Sequence, residues 1–360
     1  MDSDSGSRFV WLLSDELNSV RPVAEEDVSA ACEFALSQWH VLPAVGPRVL
    51  EWGKDFLQSS PYVQQINDLI VGIRVLAQIQ LVLCRRFTNE LDQRRIPYTL
   101  LKGIATRLCA YSSPDLRCSL DVDVGVTSEF LRRAEKVATD LGFVPASLVE
   151  SGRHFRRVSS DERAAAEANH YELACLVRRQ VVSGLSPQIS DAIRRCICFL
   201  KPWHETPDGR LACYVTLDIH HGLCLDISVD KAVATAQRWR RNDYIASVPS
   251  FEWLVFHLIF KLYWEGVHNY RKGGYQYADL LRLIEHLSNK AALSLIDLLE
   301  KYRLEAAGYY VLRRLDTEFH FRLPPSLKEF IRVTSIAPSN EFPNEVNDLG
   351  DMWPKIWGYR

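Results

Sequence analysis

The sequence predicts an α/β (α+β) protein in which a small mixed-sheet core lies between helical N-terminal and C-terminal regions. Apolar residues recur at helical spacing up to about residue 94, short strand and helix patterns begin around residue 97, and helical spacing returns after Pro249. The 360-residue chain is 47% hydrophobic and 24% charged, which is typical of a folded globular protein. These observations together set the fold class.

The first predicted region, residues 1–95, is helical. Residues 24–39 carry apolar side chains at three-to-four spacing, and Ser60 with Pro61 supplies the start of a longer helix whose apolar stripe runs from Ile66 to Ile79. After it we expect an α/β core over 96–240, a C-terminal helical region over 241–335 and a tail over 336–360.

The core begins with a predicted strand in YTLLKG at 98–103, and a helix follows directly. Residues 119–126, SLDVDVGV, alternate strictly between apolar side chains on one face and Asp121, Asp123 and Gly125 on the other. A helix is predicted over 129–143, and further strands over 170–177 and 213–221. This succession of short elements predicts the mixed sheet.

Asp121 and Asp123 would project from one strand face about 6.6 Å apart, at twice the rise of ~3.3 Å per residue. Two carboxylates flanked by apolar strands repel each other and lose hydration unless a cation joins them. Hard divalent ions such as Mg²⁺ or Mn²⁺ prefer oxygen ligands. An isolated pair of this kind is more often a solvated face, a cap or an ion-pair partner, but the strand context favours a metal site.

A third carboxylate stands in YVTLDIHH, where Thr216, Asp218 and His220 share a face. If that strand pairs with the one carrying Asp121 and Asp123, the three aspartates lie side by side. Three such carboxylates suit phosphoryl transfer with two metal ions ~3.5–4 Å apart. His220 would orient a substrate hydroxyl or support the carboxylates.

Phosphate binding would need further groups beside the aspartates. Gly103 opens a helix straight after a strand, so backbone N–H groups and the positive end of the helix dipole face the strand edge. Lys102 is adjacent, and Arg117 precedes the acidic strand. The alternatives are a tight turn at Gly103, a solvated Lys102 and an ion pair between Arg117 and Asp121.

Taken in order, LLKG, an arginine ahead of DVDVGV, and the later LDIHHGL resemble the uncharacterised nucleotidyltransferases of the polymerase-β-like nucleotidyltransferase superfamily. The resemblance covers residues 95–290. It implies that Asp121 and Asp123 hold Mg²⁺, that Asp218 is the third carboxylate and acts as base or metal ligand, and that Lys102 with Gly103 approaches the triphosphate. The sequence departs from the wider superfamily, which places Gly-Ser at the helix start where this chain has Gly103-Ile104.

On the C-terminal helices the family carries a histidine, a nearby lysine or histidine, and an aspartate, which correspond here to His257, Lys261 and Asp279. His170 alternates with Glu172 on a predicted strand and is a further candidate for the acceptor side. Solvent-facing or core positions are the alternatives for these residues.

The expected activity is transfer of a nucleoside monophosphate from a nucleoside triphosphate to a small-molecule or peptide acceptor. A sugar transferase using the same acidic motif and a degenerate, regulatory binding module are the alternatives. The net charge of −2 disfavours a long nucleic-acid acceptor. The acidic N-terminus lacks a secretory pattern, and the most apolar run, 253–260, is too short to span a membrane, so we expect a cytoplasmic protein.

Overall fold

The computed structural model describes residues 25–57, 60–149, 155–168, 170–224, 227–263, 274–317 and 319–336. The predicted tail at 336–360 lies almost entirely outside the described residues. Clustering of contacts divides the chain into two compact units, one formed by residues 1–60 with 251–360 and the other by residues 61–250. The domain edges near 95 and 240 stay predictions.

The helices of the described residues are α1 (Glu25–Ser37), α2 (Leu42–Trp52), α3 (Pro61–Gln93), α4 (Lys102–Cys109), α5 (Leu131–Asp140), α6 (Ser160–Ala168), α7 (Pro187–Cys196), α8 (Asp230–Ala234), α9 (Phe251–Tyr263), α10 (Gly274–Glu285), α11 (Asn289–Lys301), α12 (Glu305–Thr317) and α13 (Pro325–Ile336). The strands are β1 (Tyr98–Leu100), β2 (Asp121–Val126), β3 (Val144–Leu148), β4 (Phe155–Arg157), β5 (Leu176–Val181), β6 (Trp203–Glu205), β7 (Leu211–His220), β8 (Gly222–Cys224), β9 (Ile227–Ser228), β10 (Gln237–Arg241) and β11 (Tyr244–Val248).

A mixed seven-stranded sheet forms the centre of the unit built from residues 61–250. Its order is β1-β2-β7-β5-β3-β4, with β6 added beside β7. The β2–β7 pair is parallel, while β1–β2, β7–β5 and β5–β3 are antiparallel. The prediction of a mixed α/β fold is therefore confirmed.

Most predicted core elements occur close to their expected positions. β1, α4, β2, α5 and β7 all fall within or beside their predicted ranges. The strand predicted over 170–177 is wrong in its bounds, because β5 begins at Leu176 and the preceding segment contributes an isolated bridge between Glu172 and His220. That bridge matters for the site described below.

Helix α3 is long and apolar enough to cross a membrane by length and composition. Its most apolar window has a mean hydropathy of 1.6, and 56% of that window is buried within the fold. Asp68 on α3 accepts two hydrogen bonds, of 2.7 and 2.8 Å, from Arg195 on α7. Buried core helices also reach this length and hydropathy, and α3 packs against α7 within the fold.

Arg107 fixes α4 against α3 and thereby positions the start of β2. Its side chain has no exposed surface, and it donates to the carbonyl oxygens of Ala77 at 2.6 Å and Pro114 at 2.8 Å. Burial lowers the pKa of Arg107 to about 10, which still leaves the guanidinium charged at neutral pH. The turn that leads into the acidic strand is therefore held by a buried, fully engaged cation.

Candidate metal and nucleotide site

Three aspartates converge on one face of the sheet. Asp121 and Asp123 lie on β2, and the parallel register places Asp218 of β7 directly opposite Asp123. One carboxylate oxygen from each aspartate lies within 4.8 Å of the others. The alternating pattern produces this arrangement because Val122 and Val124 occupy the opposite, buried face of β2. The predicted juxtaposition of the three carboxylates is thus seen in the structure.

Lys102 extends into this cluster from the junction of β1 and α4. Its Nζ lies 2.6 Å from Oδ1 of Asp123, and 13% of the lysine side chain is exposed. Burial alone would lower the pKa of Lys102, but the charges of Asp123, Asp121 and Glu172 outweigh it and raise the pKa well above its ordinary value. The ammonium group therefore stays charged.

The backbone of Lys102 adopts a left-handed conformation, with φ of +49°. A residue with a Cβ rarely adopts this region, and holding it there costs on the order of 1–3 kcal/mol. The surrounding contacts hold it there at the point where the chain leaves β1 and enters α4. This strain is a feature that sequence patterns did not reveal.

His220 lies beneath the same carboxylates and is fully buried. Its Nε2 is 2.8 Å from Oδ1 of Asp123, and its Nδ1 is 3.2 Å from Oε2 of Glu172. Burial, followed by the positive charge of Lys102, lowers the pKa of His220, so the ring is neutral at pH 7. The same Nε2 lies 3.4 Å from Nζ of Lys102, so the ring contacts both members of the Lys102–Asp123 ion pair.

The sequence analysis named His170 as a candidate and Glu172 only as its neighbour on the same predicted strand. The bridge between Glu172 and His220 brings the glutamate to the cluster, whereas His170 is largely exposed and lies 3.4 Å from the Glu172 carboxylate. Residues 170–173, HYEL, show the alternation of a strand. That pattern does not tell which of the two side chains faces the cluster, because this depends on where β5 begins. His170 thus contacts the cluster through Glu172.

The cluster carries more negative than positive charge. Burial, together with the charges of Asp121 and Asp123, raises the pKa of Asp218 well above its ordinary value. Cys175 donates a hydrogen bond to Asp218, and burial raises the pKa of this thiol so that it stays protonated. Among the described residues, four carboxylates, including Glu172, surround the ammonium of Lys102. Oxygen donors with excess negative charge fit hard divalent cations, so the residues present match an Mg²⁺ or Mn²⁺ site.

The first turn of α4 borders the cluster and has no side-chain cap. Gly103 is packed so closely that a Cβ added to it would overlap Oγ of Ser119 and lie 3.1 Å from Nη2 of Arg117. Arg117 is buried here and donates to the carbonyl of Cys118. Both predicted residues, Gly103 and Arg117, therefore lie together at the start of the helix.

Ser119 is a neighbour that the sequence analysis did not single out. It is 4% exposed, and its Oγ has no hydrogen-bond partner among the described residues. Ile104, which stands where the wider superfamily has a serine, is fully buried in the core. A hydroxyl is therefore present at the start of α4, although it comes from the loop before β2.

A cleft of about 520 Å³ adjoins the aspartates on the β7 side. Asp121 and Asp218 form one end of it, and its walls come largely from β3, β4, β7 and the segment before β5. Tyr214 and Thr216 line it from the same face of β7 as Asp218. Sequence reasoning missed this cleft because β3 and β4 were not predicted as strands.

The remaining candidates lie in the unit that contains residues 251–360. His257 and Lys261 are on α9, and Asp279 is on α10. His257 and Asp279 are buried within that unit. Their roles at the site stay predictions.

Comparison with known proteins gives a family match over most of the chain. The model of a family described as uncharacterised nucleotidyltransferase matches residues 34–319. No curated protein matches the sequence. Among solved structures, an antigenic nucleotidyltransferase-like protein from Paracoccidioides brasiliensis is similar, with 16% identity, a TM-score of 0.27, and coverage of 72% of this chain and 95% of that chain.

Proposed function

The chain belongs to the uncharacterised nucleotidyltransferase family, and we propose that it transfers a nucleoside monophosphate from a nucleoside triphosphate to an acceptor hydroxyl. The acceptor would be a small molecule or a peptide, and pyrophosphate would be released. The observation that carries this proposal is the convergence of Asp121, Asp123 and Asp218 within 4.8 Å on adjacent parallel strands.

Asp121, Asp123 and Asp218 would hold the divalent metal. When bound, Mg²⁺ or Mn²⁺ supplies positive charge that neutralises the phosphate oxygens and lowers the pKa of a coordinated hydroxyl. The raised pKa of Asp218 reflects burial and the neighbouring charges of Asp121 and Asp123. These are the repulsions that a bound cation would offset.

The protein's own residues would bind and orient the triphosphate. The uncapped amide groups at the start of α4 and the ammonium of Lys102 provide positive potential beside the carboxylates. Ser119 and Arg117 pack closely against Gly103 and hold the start of α4 beside the carboxylates. His220 Nε2 lies 2.8 Å from Oδ1 of Asp123 and would keep that carboxylate oriented.

The transfer step breaks one bond and forms one. The acceptor oxygen forms a bond to the α-phosphorus, the bond from that phosphorus to the bridging oxygen breaks, and pyrophosphate leaves with that oxygen. Asp218 would accept the proton of the acceptor hydroxyl, because it lies on β7 where the cleft adjoins the aspartates. The general expectation for this chemistry is that positioning and electrostatics supply most of the rate enhancement.

A panel of thermal unfolding measurements tests the proposal without knowledge of the acceptor. Wild type, Asp121→Asn and Asp123→Asn are melted with Mg²⁺ alone, with each nucleoside triphosphate plus Mg²⁺, and with nucleotide sugars plus Mg²⁺. A ligand at about 100 times its Kd adds about 2.7 kcal/mol to the native state, so binding is visible as a shift in Tm. Asp297→Asn, an exposed position on α11, is the matched control for loss of one negative charge.

We expect a metal-dependent shift with at least one triphosphate in wild type and Asp297→Asn, and its loss in the two site variants. A shift with nucleotide sugars alone would instead support the sugar transferase. No shift with any nucleotide would support the degenerate binding module and overturn the proposed activity.

A further inference from the structure

The cleft beside Asp218 has a chemical character that narrows the acceptor. It has a volume of about 520 Å³, within the range of small-molecule sites. Its walls are mostly apolar, and they include Leu120, Ala146, Phe155 and Tyr214. Phe155 and Tyr214 meet edge to face with ring centroids 5.1 Å apart, so one wall is aromatic.

Three of the charged and polar side chains on these walls have partners within the protein. Arg163 pairs with Glu135 and Glu167, and Glu162 accepts hydrogen bonds from Arg156. Thr216 donates to the carbonyl oxygen of Leu120 at 2.8 Å. A ligand rich in hydroxyl groups would lose hydration against these mostly apolar walls, whereas an apolar ligand would not bear that cost.

The cleft and the residues proposed to bind phosphate lie on opposite sides of the aspartates along the strand order of the sheet. Lys102 and α4 follow β1, on one side of β2, while the cleft is lined from β7, β3 and β4 on the other. A ligand in the cleft would therefore reach Asp121 and Asp218, and a triphosphate beside Lys102 would reach Asp123. This arrangement keeps the two substrates from competing for one space.

We propose that the cleft is the acceptor site and that the acceptor is a small hydroxyl compound with an aromatic body. This inference rests on the proposed nucleotidyl transfer and adds the chemical class of the second substrate. The aromatic body would pack between Phe155, Tyr214 and Ala146, and its hydroxyl would point to Asp218. The hydroxyl proton passes to Asp218 as its oxygen bonds to the α-phosphorus and pyrophosphate departs.

Ligand-observed NMR tests the binding part directly. Tyrosol and phenethyl alcohol represent aromatic hydroxyl compounds, and glycerol and inositol represent polyols. Ala174→Phe fills the cleft from the segment before β5, while Ala234→Phe places the same side chain at an exposed position on α8 outside the cleft. Phe155→Asn is a second variant, which removes an aromatic wall without adding volume.

We expect wild type and Ala234→Phe to bind the aromatic compounds, and Ala174→Phe and Phe155→Asn to bind them about tenfold more weakly or worse. Polyols should not bind. Binding of polyols in preference to aromatic compounds, or unchanged aromatic binding in both cleft variants, would overturn the inference.

A second readout separates this inference from the proposed function. The Tm shift with Mg²⁺ and triphosphate should remain in Ala174→Phe, because neither Lys102 nor Asp123 lines the cleft. Tyrosol should increase pyrophosphate release by wild type in the presence of the triphosphate that binds. If the triphosphate shift is present but tyrosol neither binds nor increases release, the acceptor inference fails alone; if no triphosphate binds, the proposed function fails first.

Discussion

Asp123 on β2 and Asp218 on β7 are direct partners in the parallel register of the central sheet, so two carboxylates from neighbouring strands face each other. Asp123 is fully buried, and Lys102 and His220 both contact its Oδ1, at 2.6 and 2.8 Å. Asp218 receives a thiol hydrogen bond from Cys175 instead. The pair is therefore asymmetric: one aspartate has charged and polar support, and the other depends on an added cation.

Asp218→Asn should increase stability when divalent cations are removed. The pKa of Asp218 is raised in the folded state, so its ionisation costs stability at every pH above its unfolded pKa, and the neutral amide avoids this cost. We expect the free energy of unfolding to rise by on the order of 1 kcal/mol at pH 7 in EDTA. Urea unfolding measures it.

Added Mg²⁺ should reverse the order of the two proteins. Wild type would gain stability from the metal, while Asp218→Asn would gain less because one ligand is lost. Asp297→Asn serves as the surface control and should behave as wild type throughout. A variant less stable than wild type in EDTA would contradict the account of Asp218 as a repelled carboxylate.

Lys102→Met should destabilise the metal-free protein. Removing one partner of a buried ion pair leaves the other charge uncompensated and costs about 3–5 kcal/mol. Asp123 has no exposed surface and lies next to two further carboxylates, so this loss should be near the upper part of that range. Chemical unfolding in EDTA gives the value.

Lys136→Met is the matched comparison, because Lys136 pairs with Asp140 on α5 but 71% of its side chain is exposed. An exposed pair of this kind contributes about 0–1 kcal/mol. Equal losses for the two variants would show that the Lys102 pair is not the buried, charge-balancing contact described here.

Gly103→Ala should lower both stability and nucleotide binding, because the added methyl group overlaps the hydroxyl of Ser119 and crowds Arg117. We expect a loss of about 1–3 kcal/mol, as for overpacked sites. Gly103→Ala/Ser119→Ala should recover part of this loss, since the overlapping oxygen is removed while the contact with Arg117, at 3.1 Å, remains. Thermal unfolding of the two single variants and the double variant measures this coupling, and strict additivity would contradict it.

The sequence predicted the acidic strands because their alternation is local. SLDVDVGV and YVTLDIHH each place their aspartates on one face, and β2 and β7 form close to the predicted bounds. The parallel register that places Asp123 beside Asp218 joins residues far apart in the chain. The sequence analysis therefore stated the pairing of the two strands only as a condition. The resemblance to a known family supported that pairing.

Other parts of the site could not be predicted from local patterns. The choice of Glu172 over His170 depends on a bridge to His220, which a single strand pattern does not encode. Ser119 reaches Gly103 through the packing of a loop against α4. The cleft depends on β3, whose Pro145 argues against a strand, and on β4, whose three residues FRR are too few to show an alternation.

The ion pair between Asp68 and Arg195 predicts a pH dependence of stability outside the candidate site. Hydrogen bonds from Arg195 lower the pKa of Asp68, against the opposing effect of burial. A carboxylate with a lowered folded-state pKa contributes stability above its unfolded pKa, and this contribution disappears as the pH falls through the folded-state pKa. Asp68→Asn should therefore reduce stability at pH 7 by about 1 kcal/mol and flatten the loss of stability below about pH 4.

Unfolding in urea from pH 7 to the acid range measures both effects. Asp243→Asn is the control, because Asp243 pairs with Arg85 at an exposed position where salt screens the interaction. High salt should abolish the effect of Asp243→Asn but preserve that of Asp68→Asn, since 7% of the Asp68 side chain is exposed. If the two variants respond to salt alike, the two hydrogen bonds from Arg195 to Asp68 are not the source of the acid sensitivity.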